Sequence, residues 1–361
     1  MKHPLLIIIL VVFFIVVCFI YPYLRGEGGN EKEGMTADER NEYVQSFKEK
    51  ENRSFPFRYF TDENDRVLPF VAVTGFFREK AAEDKYNEYI QKGIHVFGIT
   101  AYKSFPNREL MDATEGEYER NDTFDYTGKI RDWLCCVKNP AEYGFTDFNR
   151  TIDISESDFY DAEDDSVLEV PKKYDFIYIC NKDSDSCPLD GWNAFNRNFE
   201  LAKKCFPILC FKFGLKGLIV GRENCGLEEE YGDYLEVIGW LEWAKLQEKM
   251  RESKILFVPN IFDASPRVVA ECITKNVKVL MNRNIICGFK YINYQTGELF
   301  NDETDVNRAL TKLLNKPASV SPKKWWSENY SKEKSQKRLR DFLAESFPGE
   351  LDGISKVKFI L

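Results

Sequence analysis

The stretch KILFVPNIFDASPRVVAECITKNVKVLMNRNIICGFKYINYQTGELF, residues 254–300, constrains the fold more than any other part of the chain. The apolar run 255–258 stops at Pro259 and reads as a buried strand that empties into a loop. Ser265 followed by Pro266 is a helix start, with Ser as N-cap and Pro at the first helical position, where no N–H is needed. Val268, Val269 and Cys272 give the helix an apolar stripe, and a second apolar strand at 277–281 closes a strand–helix–strand unit. Such units build parallel sheets. Asp263 falls in the loop at the carboxyl end of the first strand, and Glu271 falls inside the helix. The free N–H groups just after Ser265 face the same crevice and favour an anion such as a diphosphate. The combination suggests a site for a phosphorylated sugar nucleotide.

The alternation extends upstream. Strands are predicted at 174–180, 216–220 and 234–239, with helices at 192–205 and 240–251, and this pattern argues for a doubly wound parallel sheet. A shorter first lobe, 66–170, starts with a strand–helix–strand unit at 67–75, 81–92 and 94–100, with a further helix or strand at 129–137.

The order and spacing of 174–300 resemble the donor lobe of retaining GT-B glycosyltransferases of the glycogen-synthase-like, family-four (glycosyl transferases group 1) type. Pro259, Asn260, Asp263, Glu271 and Cys272, then Asn276-Val277-Lys278-Val279, occupy the places of that family's P-S-x-x-E…E-A motif and its following strand. Asp263 stands for the first Glu, Asn260 for Ser and Cys272 for Ala. Gly239 resembles the family's "flG" turn, and Gly297-Glu298-Leu299-Phe300 the strand that ends its donor domain. The resemblance implies an α/β GT-B fold of two Rossmann-like lobes with a donor cleft between them. It also implies transfer from a UDP- or GDP-sugar to a glycan, protein or lipid acceptor with retention, and no metal cofactor. By the same resemblance Glu271 binds the ribose hydroxyls and Asp263 the hydroxyls of the donor sugar. Lys182 and Arg197 clamp the diphosphate with help from the helix start at Ser265 and Pro266, and Arg267 reaches a phosphate. Against this stand plainer readings: Asp263 as a turn cap, Glu271 facing solvent, and Arg197 and Arg267 as solvated charges.

Two other functions stay open. Asp183-Ser184-Asp185 follows an apolar strand and reads as the D-x-D with which GT-A glycosyltransferases hold manganese. Asp263 in place of Glu also allows a sugar-binding protein without turnover, because a misplacement of about 1 Å can cost about a hundredfold in rate.

The N-terminal 5–24 segment is apolar, follows Lys2 and His3, and ends at Tyr21-Pro22-Tyr23, so it reads as an uncleaved transmembrane signal anchor behind a tail at 1–4. Residues 25–65 are expected to form a stem, polar and Gly-rich at its start. The expected topology is type II, with the body in the Golgi or ER lumen. Sequons at Asn52, Asn121, Asn149 and Asn329 fit that placement. The ten cysteines lack metal-ligand spacing, and Cys180…Cys187 or Cys205…Cys210 are candidate local disulfides. With only two histidines, a His-based metal site or Ser–His–Asp triad is nearly excluded, and His95 reads as a core or strand-end residue. A net charge of −9 with dispersed basic residues leaves no footprint for nucleic acid.

The acidic 153–169 segment reads as a solvated linker between the first lobe and the donor lobe, 171–321. Residues 322–361 carry Trp325-Trp326, then Leu339, Phe342 and Leu343 at near-helical spacing, which predicts a helix crossing back to bridge the lobes.

Overall fold

A computed structural model describes residues 35–100, 104–111, 121–164, 166, 170–263 and 266–360. Strands β1 (Phe57–Thr61), β2 (Val67–Val73), β3 (His95–Ile99), β4 (Asp132–Leu134) and β5 (Arg150–Ile152) belong to the first lobe. Strands β6 (Tyr174–Ile179), β7 (Gly217–Val220), β8 (Leu235–Ile238), β9 (Ser253–Val258), β10 (Lys278–Asn282) and β11 (Gly297–Phe300) build the second. The last strand, β12 (Lys358–Phe359), returns to the first lobe.

The second sheet runs β11-β10-β9-β6-β7-β8, every neighbour parallel. Helices cover both faces of such a sheet, which is why its strands read as continuous apolar runs; all of β7 is buried. Strand order reverses between β6 and β9, and the loops leaving their carboxyl ends diverge there to leave a crevice. The first sheet runs β12-β1-β2-β3-β4-β5, with β1 antiparallel to both neighbours and the rest parallel.

Several expectations are corrected. The stem does not extend to residue 65: the Ala37–Gln45 helix and β1 pack into the first lobe, with Val44, Phe47, Phe57 and Phe60 buried. Charge on the outer face of this segment hid a sparse apolar face. The 153–169 segment is not simply solvated. Asp158 is fully buried, and Glu163 pairs with Arg251 at 2.8 Å and Lys275 at 2.9 Å, so distant cations neutralise carboxylates that look exposed in sequence. The 192–205 helix is broken into Trp192–Asn196 and Phe199–Pro207 by Asn198, whose φ of 49° lets its side chain cap the second piece at the N–H of Leu201.

The C-terminal bridge consists of two helices. Pro322–Asn329 places Trp326 in the core of the second lobe, and Lys332–Ser346 places Leu339, Phe342 and Leu343 against the first sheet. No helix among the described residues is long and apolar enough to cross a membrane, and the 5–24 segment lies outside the described residues.

Candidate functional site

The crevice between β6 and β9 is built from loops whose polar groups are tightly committed. After β6, Asp183 accepts the N–H of Asn193 at 2.7 Å and of Ala194 at 3.0 Å, holding the first turn of the Trp192–Asn196 helix. Gly191 permits this approach, since a Cβ there would stand 2.4 Å from the Asp183 carboxyl carbon. Lys182 reaches Asp185 at 2.8 Å and Glu223 at 3.2 Å; its hydrogen bond to Asp185, then that to Glu223, raises its pKa. In the D-x-D, Asp183 thus holds a helix start, and Asp185, almost fully exposed, pairs with Lys182. Among the described residues no group of three or more His, Cys, Asp or Glu side chains could hold a metal ion.

Sequence reasoning missed Arg222, which lies two residues past the end of β7. It is fully buried, donates to Cys180 Sγ at 3.3 and 3.1 Å, lies 3.5 Å from Asp183 and stacks 4.4 Å above Phe199. Its position at the carboxyl end of a buried strand was the available signal. Cys187 and Cys225 form a disulfide with a Cα separation of 5.7 Å, tying the loops after β6 and β7 together. The expected local pairings are replaced, because Cys180, Cys205 and Cys210 are free and buried.

Arg197 does not lie on a helix surface. It occupies the break before Asn198, and its guanidinium pairs with Asp263 in the loop after β9. Asn260 donates to the same Asp263 oxygen at 3.1 Å. Asn198 and Asn282 both donate to the Pro259 carbonyl at 3.1 Å, which pins the loop at the strand end. Phe195 stacks on Phe262 at 4.5 Å beside it. The structure thus brings Arg197 and Asp263 together from segments that are distant in sequence.

The following helix spans Arg267–Thr274 with Pro266 as its cap, one residue later than predicted; Ser265 lies outside the described residues. Pro266 packs against Gly288, whose φ is +84° and where a Cβ would meet the proline ring at 2.5 Å. Glu271 does not face solvent. It is 6% exposed and its Oε1 accepts from Tyr160 at 3.1 Å and from the Trp243 indole N–H at 3.3 Å. Burial, reinforced by the Glu271 charge, pushes the Tyr160 phenol up to about 12. Trp243 itself is 65% exposed, and Trp240 is exposed beside it on the loop after β8. Arg267 lines a cavity between the lobes. His95 lies 3.1 Å from Glu350 and packs on Phe347, a structural position.

No protein-family model matches the chain, and no curated protein matches it in sequence. Solved structures do match. The chain is similar to the pneumococcal O-GlcNAc transferase GtfA, solved with UDP and GlcNAc, with a TM-score of 0.53 and 11% identity over 75% of this chain and 56% of that one. It is similar to S. aureus TarM, solved with fondaparinux, α-GlcNAc-glycerol and UDP, with a TM-score of 0.52 and 12% identity over 73% of this chain and 53% of that one. Sucrose-phosphate synthase from Thermosynechococcus elongatus gives 0.51 and 14%, over 77% and 74%. The chain spans little more than half the length of GtfA and TarM. At these identities the likeness is one of fold: the two-lobed GT-B arrangement of these enzymes.

Proposed function

We propose that the chain is a GT-B glycosyltransferase that moves a sugar from a nucleotide-sugar donor to a glycan, protein or lipid acceptor, with retention and without a metal cofactor. The observation that carries the reading is the Arg197–Asp263 pair, joining the helix break after β6 to the loop after β9, with Glu271 one turn into the helix that follows that loop. Departure of a nucleoside diphosphate leaves negative charge on phosphate and oxocarbenium character on the sugar. Arg197 and the helix start near Pro266 offset the former, with Lys182 at the crevice edge. Asp263 holds the donor sugar's hydroxyls. Glu271 takes the ribose hydroxyls in addition to, or in exchange for, the Tyr160 and Trp243 donors, and the exposed Trp243 offers a face for the base. Each of these roles is positioning; none needs a proton transfer.

Placement in the Golgi or ER lumen behind a signal anchor at 5–24 belongs to the same proposal. The Cys187–Cys225 disulfide supports it, since disulfides persist in oxidising compartments. Asn52 and Asn329 are exposed, and the amides of Asn52, Asn149 and Asn329 each donate to a backbone carbonyl: Ser46, Thr127 and Ile130, and Trp325 respectively. The decisive experiment incubates the full chain in detergent with a panel of UDP- and GDP-sugars, with and without EDTA, and follows nucleotide release and sugar transfer. Release from no donor would refute the enzyme reading, and activity abolished by EDTA would refute metal independence.

A further inference from the structure

A cavity of about 980 Å³ opens between the lobes, and the crevice chemistry described above does not account for it. It lies beside β1 and the edge strand β12 of the first sheet, next to Tyr160 of the crossover and the starts of two helices, Arg267–Thr274 and Lys332–Ser346. Its size suits a small ligand rather than a few waters.

Its charge is unusual for this chain. Lys48, Arg58, Arg267, Lys332 and Lys358 line it against two carboxylates, Asp65 and Glu156, a net charge of +3 in a protein of net charge −9. Lys358 pairs with Asp65 at 2.8 Å, and Arg58 stands 3.9 Å from Glu156. Lys48, Arg267 and Lys332 have no carboxylate within ion-pair distance among the described residues. Stability does not explain them. Arg267 and Lys332 each stand at the first residue of a helix, where the macrodipole disfavours a cation. Like charges gathered in a cleft repel one another and focus a field that an anion relieves. Another wall is apolar, formed by Phe159, Phe359 and Ile360. Tyr160 lines the cavity and also donates to Glu271, so the cavity adjoins the crevice assigned to the donor.

We propose that this cavity binds an acidic saccharide, the sugar ring against the aromatic wall and its phosphate or carboxylate among Lys48, Arg267 and Lys332. On the glycosyltransferase reading, on which this identity rests, that ligand is the acceptor.

The test uses the full chain in detergent and its Lys48→Glu/Lys332→Glu variant. Both lysines are exposed and outside the donor crevice, so circular dichroism should show the fold retained. Binding of glucose 6-phosphate, glucuronic acid, neutral glucose, UDP and GDP is measured by ligand-observed NMR. At least one acidic sugar should bind about tenfold tighter than glucose, and weaken about tenfold in the variant and on raising salt. The phosphate and uronate arms identify which anion is preferred, and UDP affinity should stay within about twofold. Equal binding of neutral and acidic sugars, or unchanged acidic-sugar binding in the variant, overturns the proposal. So does competitive displacement of the acidic sugar by UDP, which would make the cavity the donor site. Charge-dependent sugar binding in a protein that binds neither UDP nor GDP would keep the cavity assignment and sink the transferase reading, so the two can fail separately.

Discussion

Lys290 of the second lobe donates to Asp158 of the crossover at 2.9 Å, with side-chain exposures of 8% and 0%. Lys290 also holds Asp153 at 2.8 Å, the Tyr291 hydroxyl donates to Asp158, and Ser335 of the C-terminal helix donates to the Asp158 carbonyl at 2.7 Å. One residue thus joins the second lobe, through its carboxylate, to the returning helix, through its backbone carbonyl. Burial works against the Lys290 charge, but Asp158 and Asp153 outweigh it and raise its pKa.

Asp158→Ala leaves the Lys290 ammonium buried with only Asp153 beside it. Breaking a buried pair costs about 3–5 kcal/mol. Urea unfolding should show a loss of this size, and a comparable loss for Lys290→Met, which leaves the fully buried Asp158 carboxylate without its cation. Equal stability of wild type and Asp158→Ala would mean that the lobes are held together elsewhere.

Glu163 supplies a pH signature. Burial raises its pKa, yet hydrogen bonds from Arg251 and Lys275 outweigh burial and lower it. A depressed carboxylate stabilises the fold above its unfolded value, about 4.3, and that contribution fades as pH falls through the lower folded value. Wild type should therefore exceed Glu163→Gln in thermal midpoint at neutral pH, with the gap closing below about pH 4. A gap that widens on acidification contradicts the pairing.

Glu271→Gln retains the shape of the side chain and its acceptor oxygen for Tyr160 and Trp243 but removes the charge that hydroxyl donors would meet. Hydrogen bonds to charged groups are worth about 1.5–3 kcal/mol, so UDP affinity measured by calorimetry should fall about tenfold or more. The thermal midpoint should change little. Unaltered UDP affinity removes Glu271 from the nucleotide site.

Deleting residues 348–360 should unfold the first lobe while leaving the second sheet intact. Leu351, Ile354 and Val357 are buried, and each such side chain contributes about 1.5–3 kcal/mol. Hydrogen exchange should lose protection in β1 to β5 and keep it in β6, β9 and β10. Retained protection throughout would show that the tail is dispensable.

Residues 254–300 were legible because β9 and β10 are buried on both faces and flank a short apolar helix, so period and punctuation agree along the chain. Arg197 could be picked out as a cation near the crevice, but its partner could not, since Asp263 comes from another segment. Tyr160 and Trp243 escaped notice for the same reason: both become relevant only through Glu271. Strand β1 was missed although four of its five residues are buried, because one of its two partners, β12, comes from the far end of the described chain. The Cys187–Cys225 bridge spans a sequence separation of 38, and spacing alone did not single it out.

The pairing of Phe60 with Phe359 also sets an order of events on the ribosome. At 5–20 residues/s, the roughly 300 intervening residues take about 15–60 s to translate. Throughout that interval β1 offers an uncovered edge, the kind of surface that recruits stray strands. All six strands of the second sheet emerge before β12, so the lobe synthesised later can finish first. Termination of translation just before β12 would therefore surface as misfolding of the lobe that holds β1 to β5.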